Sequence, residues 1–314
     1  MAEKVVERTV RFVADKMTID YPWPIPPGFT EKPVWTGKEF RLGDARLSIL
    51  SYDSVASGWT DDLTRFHEET AGPSHFIDRA SRRHALEQLG RLTKETPIVL
   101  DVGSSSGFML RLVRERMPHV SIIGSDFVRG SLENLATDLP DVPLLQFDLT
   151  RCPLPDNSVD AVLLLNVLEH IEDDVKAIRQ VYRILRPGGI ASIEVPANPS
   201  LYDTYDKLLM HYRRYSLTGL NRIVRDAGFQ IVKQSHLGFF LYPGFWLIKQ
   251  RNKKFLSREI LVQRQIVSSN IQNTGDNRLL HSIMRLDLAL GRRISYPFGI
   301  RCLMTGRKPS ANIE

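Results

Sequence analysis

Short apolar segments alternate with longer amphipathic segments along the chain from residue 97 onward. One amphipathic segment, residues 173–189, places Val175, Ile178, Val181 and Leu185 on one helical face and ends in Pro-Gly-Gly, which indicates a helix followed by a turn. The apolar segments are bounded by turn residues, which is typical of strands buried on both faces of a parallel sheet. They are PIVLDV, SIIGSD, VPLLQFD, VDAVLLLN and GGIASIEV. Repeated units of strand and helix predict an α/β fold with a doubly wound, Rossmann-like sheet.

The residues before this pattern predict an N-terminal extension. The segment FRLGDARLSIL is typical of a short hairpin that turns at Gly43 and Asp44. Two further segments, WTDDLTRFHEE and FIDRASRRHALEQLGRL, predict helices that precede the first core strand.

Composition and charge add two expectations. The chain has 314 residues and two cysteines, Cys152 and Cys302, and its N-terminus lacks an apolar leader segment, so a reducing, cytoplasmic location is expected. Charge is uneven, because residues 207–314 hold 19 Lys and Arg against 5 Asp and Glu. This balance of +14, against −8 for residues 1–206, indicates either a solvated basic face or an anionic partner such as a membrane, a phosphorylated substrate or a nucleic acid.

Residues 99–110, VLDVGSSSGFML, run from an apolar strand through an acid and a loop of small residues into a helix. In an open α/β sheet, such a loop lies in the crevice where ligands bind. A dinucleotide fingerprint requires glycine at 103, 105 and 108, whereas the chain has Gly103, Ser105 and Phe108. The loop also lacks the Gly-Lys-Ser/Thr of a P-loop. Neither a dinucleotide site nor a P-loop phosphate site is therefore expected here.

The sequence VLDVGSSSG resembles motif I of the class I S-adenosylmethionine-dependent methyltransferases, an acid-x-Gly-x-Gly-x-Gly pattern. Asp101, Gly103 and Gly107 match it, and Ser105 replaces the middle glycine by another small residue. Small residues allow the methionine part of S-adenosylmethionine to approach the backbone closely, and a branched side chain at position 107 is expected to obstruct that path. Asp101 can orient the loop and offset the positive charge of the ligand.

Two further acids follow in the order that the family shows. Asp126 ends the second strand 25 residues after Asp101, where a carboxylate can accept both ribose hydroxyls. The resemblance implies that Asp148 contacts the adenine amino group and that Leu149 packs on the adenine ring. The cofactor-binding residues expected from the resemblance are Asp101, Gly103, Ser105, Gly107, Asp126, Phe127, Asp148, Leu149 and Asn166.

The segments DAVLLLNVLEHIEDD and LRPGGIASIEVP resemble the fourth motif of the family and the strand that follows it. The resemblance extends over residues 97–234 and is nearest to the type 11 and type 12 methyltransferases. It implies S-adenosylmethionine as cofactor and a mostly parallel, seven-stranded sheet whose last strand is antiparallel. Residues 229–236 and 299–307 are placed as the antiparallel pair that closes this sheet.

The predicted organisation therefore has four parts. Residues 1–60 form the N-terminal extension, and residues 61–236 form the methyltransferase core, with N-terminal helices that the resemblance implies close over the cofactor. Residues 237–296 form an insertion that is too long for a hairpin loop and must fold on its own. Residues 297–314 form the closing strand and tail.

The start of the insertion, residues 236–254, combines apolar and basic character. Residues 237–248 carry no charge, but a membrane-spanning helix needs about 20 apolar residues. The aromatic residues beside the basic cluster at 249–254 fit an interfacial segment that contacts anionic lipid, so peripheral membrane contact is expected. A helix buried against the sheet is the alternative. The insertion is also expected to cover the acceptor pocket and admit a lipid-linked or otherwise apolar acceptor.

Glu169 and His170 suggest a metal site at first sight. The related ubiquinone-type O-methyltransferases carry a Glu-x-x-Glu-His pattern here, but this chain has Asn166 at its first position. Two ligands rarely hold magnesium. The pair is therefore expected to organise the turn after the fourth strand, and no metal is expected.

The segment HYRRYS, which starts at His211, lies between the fifth strand and the next helix, on the crevice side. Similar segments occur in related type 12 enzymes. His211 could take a proton from an acceptor hydroxyl, and Arg213 and Arg214 could hold phosphate or carboxylate. The alternative is a loop that its own arginines pin in place. Tyr202 is expected to bind the substrate together with these arginines, and His75 and Tyr202 are weaker candidates for the base.

These motifs predict a methyltransferase that acts on a small-molecule acceptor, including one linked to a glycan or a lipid. An RNA or other nucleic-acid methyltransferase is an alternative that the basic C-terminal third favours. However, residues 166–169, Asn-Val-Leu-Glu, stand where an Asn-Pro-Pro-Tyr-like segment would support that alternative, so a nucleic-acid partner is not expected. A non-catalytic module that binds S-adenosylmethionine is a further alternative.

Overall fold

The computed structural model describes residues 19–53, 75–259, 262–265, 269 and 277–310. Its strands are β1 (Val34–Trp35), β2 (Phe40–Leu42), β3 (Ala45–Leu47), β4 (Ile49–Ser51), β5 (Ile98–Val102), β6 (Ser121–Asp126), β7 (Leu144–Gln146), β8 (Val159–Leu165), β9 (Leu185–Pro196), β10 (Gln230–Leu237) and β11 (Arg301–Arg307). Its α-helices are α1 (Phe76–Leu89), α2 (Phe108–Arg116), α3 (Arg129–Asp138), α4 (Asp174–Ile184), α5 (Thr204–Leu208), α6 (Leu217–Asp226), α7 (Tyr242–Lys253) and α8 (Arg278–Gly291). The helix predicted in WTDDLTRFHEE lies outside the described residues.

Eight strands form the main sheet in the order β10-β11-β9-β8-β5-β6-β7-β4. The strands from β4 to β9 in this order are parallel to their neighbours, and β11 runs antiparallel to β9 and β10. The predicted α/β class and the closing antiparallel pair are confirmed. The sheet has one strand more than the predicted seven, because Ile49 and Leu50, both buried, extend the edge beside β7.

Apolar side chains cover both faces of this sheet. Val99 and Leu100 are adjacent in β5 but belong to different core clusters, one on each face. Residues of α4 and α6 pack in the cluster of Leu100, and residues of α1, α2 and α3 pack in that of Val99. Burial on both faces explains why the core strands read as uninterrupted apolar segments.

The N-terminal region forms a second, small antiparallel sheet from β1, β2 and β3. Leu42 pairs with Ala45, which confirms the predicted hairpin turn at Gly43 and Asp44. Trp23 and Phe40 pack into the core on one face of the main sheet. These contacts hold the N-terminal region against the α/β core.

The chain between β10 and β11 contains α7 and α8. Phe245 of α7 and Met284 of α8 pack with Phe76 of α1 in a third apolar cluster. Within the described residues, we find no helix with the length and apolar character required to cross a bilayer. The inner faces of α7 and α8 therefore cover the α1 end of the core, and their outer faces remain exposed.

Candidate active site

A cavity of about 870 Å³ lies at the carboxyl ends of strands β5 to β9. Parallel strands bring these ends to one edge of the sheet, and residues of α1, α7 and α8 cover the cavity from outside. Ligand pockets commonly measure about 300–1,000 Å³, so this cavity has room for a cofactor and an acceptor. The candidate residues that line it are His75, Asp101, Gly103, Ser105, Asp126, Phe127, Asp148, Leu149, Asn166, Glu169, His170, His211 and Arg214.

The loop after β5 is held by positive φ angles and by hydrogen bonds to the next strand. The φ angles of Gly103 and Gly107 are 73° and 71°, a region that favours glycine. The amides of Gly103 and Ser104 donate to the carbonyl of Ser125 at 2.8 and 2.9 Å. A Cβ at position 103 would lie 2.7 Å from Cγ2 of Val167. The loop therefore follows a fixed path along the cavity, close to β6.

Gly107 does not belong to the cavity wall. A Cβ at this position would clash with Cδ2 of Leu135 and lie 3.2 Å from Cδ1 of Leu139. A side chain at 107 would therefore contact α3 first, and the expectation that it obstructs the ligand stays a prediction. Glycine is required there by its positive φ and by the packing of α3 against the loop.

Asp101 places a buried carboxylate at the end of β5, beside the loop. Its Oδ2 has no hydrogen-bond partner among the described residues, and burial raises the pKa of Asp101 to about 7. A buried polar atom without a partner is costly. The geometry therefore favours a ligand that brings a cationic hydrogen-bond donor, such as an ammonium group, to this oxygen.

Asp126 ends β6 and connects the loop to the following turn. Its Oδ2 accepts the amide of Ser105 at 3.0 Å, and its Oδ1 accepts the amide of Val128 at 2.9 Å. The acid that was expected to bind ribose therefore also orders the loop. After the next strand, β7, Asp148 accepts the amide of Thr150 at 2.8 Å and caps a short 3₁₀ helix.

Asn166 follows β8 on the opposite side of the loop. Its φ angle is 56°, and its amide donates to the carbonyl of Glu194 at 2.9 Å. Positive φ at an asparagine is uncommon but tolerated, and here it turns the chain at the cavity edge. Asp101 and Asp126 thus lie at the ends of β5 and β6, and Asp148 and Asn166 follow β7 and β8. These four strands are neighbours in the sheet.

A buried charge cluster, formed by Asp203, Asp206, His211, Arg214 and Lys249, lies on the α7 side of the cavity. The Asp206 carboxylate accepts from Nδ1 of His211 at 2.9 Å, Nη1 of Arg214 at 2.9 Å and Nζ of Lys249 at 3.0 Å. Lys249 also donates to Asp203 at 2.7 Å. Burial opposes ionisation of Asp206, but its three partners outweigh burial and hold its pKa well below the ordinary range.

His211 is the member of this cluster with a free ring nitrogen to offer a ligand. Its Nδ1 is bound to Asp206, which leaves Nε2 for a group in the cavity. Burial lowers the pKa of His211 and so do the charges of Lys249 and Arg214, against the opposing effect of Asp206. The imidazole is therefore neutral at pH 7 and able to accept a proton.

Glu169, His170 and His211 each offer one metal-ligand atom, and these atoms lie within 4.8 Å of one another. Oε2 of Glu169 is buried without a hydrogen-bond partner among the described residues, and burial raises the pKa of this group to about 8. Two imidazoles and one carboxylate suit a transition metal better than magnesium. The sequence suggested two ligands, and the fold adds a third from a distant loop. The expectation that the chain binds no metal stays a prediction.

Two of the three expected substrate-binding residues lie away from the cavity wall. The hydroxyl of Tyr202 donates to the carbonyl of His211 at 2.8 Å, and Nη1 of Arg213 pairs with Asp174 at 3.0 Å. Arg214 lines the cavity, but its guanidinium is held in the buried charge cluster. These contacts pin the loop that carries His211, as the alternative interpretation of HYRRYS proposed.

Arg82 is a cavity residue that sequence analysis missed. Its guanidinium carbon lies 5.2 Å from the ring centroid of Phe108, the residue directly after Gly107. An anionic group held by the loop would therefore lie near a guanidinium. Nothing in the sequence marks Arg82 among the other charges of α1, because its role depends on where α1 packs.

Comparisons with known proteins agree with this architecture. A family model described as a methyltransferase domain matches residues 100–193. A probable S-adenosylmethionine-dependent methyltransferase of Mycolicibacterium smegmatis is 29% identical over 173 residues, which is 54% of this chain and 65% of the relative. A demethylmenaquinone methyltransferase of Chlamydia trachomatis is 30% identical over 139 residues, which is 44% of this chain and 58% of the relative. The chain thus spans less than two thirds of the length of these curated relatives.

A solved structure extends the comparison to the fold. Phosphoethanolamine N-methyltransferase 2 of Haemonchus contortus, solved with phosphomonomethylethanolamine and S-adenosylhomocysteine, superposes with a TM-score of 0.54 at 18% identity. The match covers 80% of this chain and 59% of that one. Residues 100–193 therefore carry a methyltransferase domain, and about half of the chain is similar to S-adenosylmethionine-dependent methyltransferases.

Proposed function

We propose that the protein transfers the methyl group of S-adenosylmethionine to an apolar small-molecule or lipid-linked acceptor in the same cavity. The observation that carries this proposal is the partnerless Oδ2 of Asp101 beside the Gly103 loop. The ammonium of the methionine part would satisfy this oxygen, and Arg82 would offset the carboxylate of the same ligand. Asp126 would accept the ribose hydroxyls, and Asp148 would meet the adenine.

The remainder of the cavity supports an apolar acceptor. Leu209, Leu241, Phe245 and Leu280 line its α7 and α8 side. The positive groups on this side are paired with carboxylates. Lys249 and Arg214 share Asp203 and Asp206, and Arg301 pairs with Glu194. The phosphate backbone of a nucleic acid binds to unpaired positive charges, and few are available on this side of the cavity. The geometry therefore favours a small apolar acceptor over a nucleic acid. The relatives include a demethylmenaquinone methyltransferase, whose name refers to a quinone.

The transfer needs an acceptor atom in line with the methyl carbon and the departing sulfur, so positioning supplies much of the rate acceleration. For a hydroxyl acceptor, Nε2 of His211 takes the proton while the oxygen–carbon bond forms and the carbon–sulfur bond breaks. The products are the methyl ether, S-adenosylhomocysteine and a protonated His211. Asp206 fixes the imidazole tautomer and stabilises the imidazolium.

Replacing Asp126 with alanine should weaken S-adenosylmethionine binding by about 1–3 kcal/mol, through lost hydrogen bonds to the ribose and a less ordered loop. Isothermal titration calorimetry checks this. Asp141→Ala is the matched control, because Asp141 is an exposed acid that pairs with Arg114 on the surface. Unchanged affinity in a folded Asp126→Ala protein would remove this residue from the site.

We also propose that the outer face of α7 contacts an anionic membrane surface from which an apolar acceptor enters. Trp246 and Leu247 are 42% and 62% exposed, and Ile248 is both exposed and part of the cavity wall. Leu247, Arg251 and Lys254 follow one another along the exposed side of the helix. An apolar stripe that continues into basic residues is typical of an interfacial helix.

Trp246→Glu combined with Leu247→Glu should abolish sedimentation with vesicles that contain phosphatidylglycerol, because two exposed apolar side chains that would enter the lipid interface become charged. Phe245 is unsuitable for this test, since it faces the cavity. Val34→Glu, at a residue 61% exposed in β1, is the control. If the wild-type protein stays in the supernatant at low salt, the α7 face is not a membrane contact.

A further inference from the structure

A second cavity, of about 420 Å³, lies where the C-terminal ends of α1, α6 and α8 meet β10. Five basic residues line it, and of the described residues on its wall none is an acid. We call this cavity the basic pocket. Its basic residues are Arg91, Arg225, Lys233, Arg292 and Arg293.

Most of these positive charges have no carboxylate partner among the described residues. Nε of Arg91 donates to the amide oxygen of Gln88 at 2.9 Å, and Nε of Arg225 donates to that of Asn221 at 2.8 Å. Both partners are neutral, so each guanidinium keeps its charge and has further N–H groups to donate. Nζ of Lys233 donates to the carbonyl of Gly291 at 3.0 Å.

In the part of the chain that the structure describes, the carboxylate of Glu87 adjoins the basic pocket and pairs with Arg292. The other negative contribution comes from the three helix ends, each equivalent to roughly half an elementary charge. Together these negative charges are smaller than the five positive charges of the basic pocket. Burial and the charges of Arg91 and Arg292 lower the pKa of Lys233, against the opposing effect of Glu87.

The basic pocket is separate from the methyltransferase cavity. Residues at the N-terminal end of α1 and Leu280 in the first turn of α8 line the large cavity, whereas the residues past the C-terminal ends of both helices line the basic pocket. Each helix has 14 residues, and a helix of that length spans about 20 Å. A ligand in the basic pocket therefore does not touch the methyl donor or the acceptor.

We propose that the basic pocket binds a phosphate-bearing ligand with two or more negative charges, such as a pyrophosphate or phosphomonoester group. Arginine guanidinium groups donate in pairs to phosphate oxygens, and an anion relieves the repulsion among the five cations. This ligand would also account for part of the excess positive charge of residues 207–314. The proposal does not depend on methyl transfer.

Isothermal titration calorimetry of the full chain with inorganic pyrophosphate tests the proposal, with sodium chloride holding the ionic strength constant. The wild-type protein should show saturable one-to-one binding, and Arg225→Gln combined with Arg293→Gln should weaken it at least tenfold. Arg258→Gln combined with Arg285→Gln, at exposed basic residues outside the pocket, should bind as the wild type does. Circular dichroism establishes that each variant is folded.

A second arm distinguishes a free phosphate ligand from a lipid headgroup. Dihexanoyl phosphatidic acid, used below its micelle concentration, presents the phosphomonoester without a bilayer that α7 could contact. If the pocket variant alone loses binding of pyrophosphate or of phosphatidic acid, the proposal is supported. The probe whose binding is lost then identifies the ligand as a free phosphate or a lipid headgroup. No saturable binding of either probe to the wild type, or equal loss in the pocket and control variants, would overturn it.

Discussion

His211→Ala is expected to lower methyl transfer to a hydroxyl acceptor by about 10²–10⁴-fold, the usual contribution of a positioned general base. The affinity for S-adenosylmethionine should remain nearly unchanged, because the expected cofactor contacts come from the loop and acids after β5 to β7. The pH profile provides a readout that a structural role would not move. Since the pKa of His211 is lowered, its neutral form persists below pH 6.5, and the acidic limb of turnover should lie below that value.

His119→Ala is the control for this variant, because His119 is exposed at the end of the sheet far from the cavity. It should turn over as the wild type does. Equal losses of turnover and cofactor affinity in His211→Ala would instead show that the histidine supports the fold of the site. A wild-type rate would exclude both roles.

Asp206→Ala is expected to lower the free energy of unfolding by about 3–5 kcal/mol, the usual cost of leaving buried charges unpaired. Lys249 and Arg214 would keep their positive charges in a buried environment after losing their shared carboxylate. Because Asp206 has a depressed pKa, the stability it contributes is present above its ordinary value of 3.8 and is lost as pH falls below it. Urea unfolding at pH 7 gives the first measurement, and unfolding at pH 3 should show a smaller difference.

Two comparisons make the Asp206 result specific. Asp206→Ala combined with Lys249→Met should recover part of the lost stability, because the second change removes one of the unpaired charges. Asp141→Ala, which breaks a surface ion pair, should cost no more than about 1 kcal/mol. A loss of that small size in Asp206→Ala would contradict the pairing described for the buried charge cluster.

Local patterns predicted the strands and the cofactor loop because their causes are local. Burial on both faces leaves apolar runs such as 98–102, and the largest positive φ angles of the following loop fall at Gly103 and Gly107. The acids Asp126 and Asp148 follow from the same logic, since the ends of neighbouring parallel strands must meet at one edge. The eighth strand was missed because β4 has three residues, and its pairing with β7 leaves no local signal.

The acceptor side could not be predicted because its contacts join distant residues. Asp206 and Lys249 are 43 residues apart, and a lysine in a basic run is ordinarily solvated. In α7 this lysine is buried while Trp246 and Leu247 are exposed, the reverse of what hydropathy alone suggests. The position of His211 beside Glu169 and His170 likewise depends on how the loop after β9 folds back over the turn after β8.

Transfer of tritium from S-adenosyl-[methyl-³H]methionine into the organic phase of a lipid extract tests the central proposal most directly. The wild-type protein should label an organic-soluble product at a rate proportional to enzyme, and His211→Ala and Asp126→Ala should reduce that rate, whereas Asp141→Ala should not. Label that appears in RNA instead would favour the nucleic-acid alternative. Saturable binding of S-adenosylmethionine without labelling of any fraction would contradict the proposed transfer and leave a binding module.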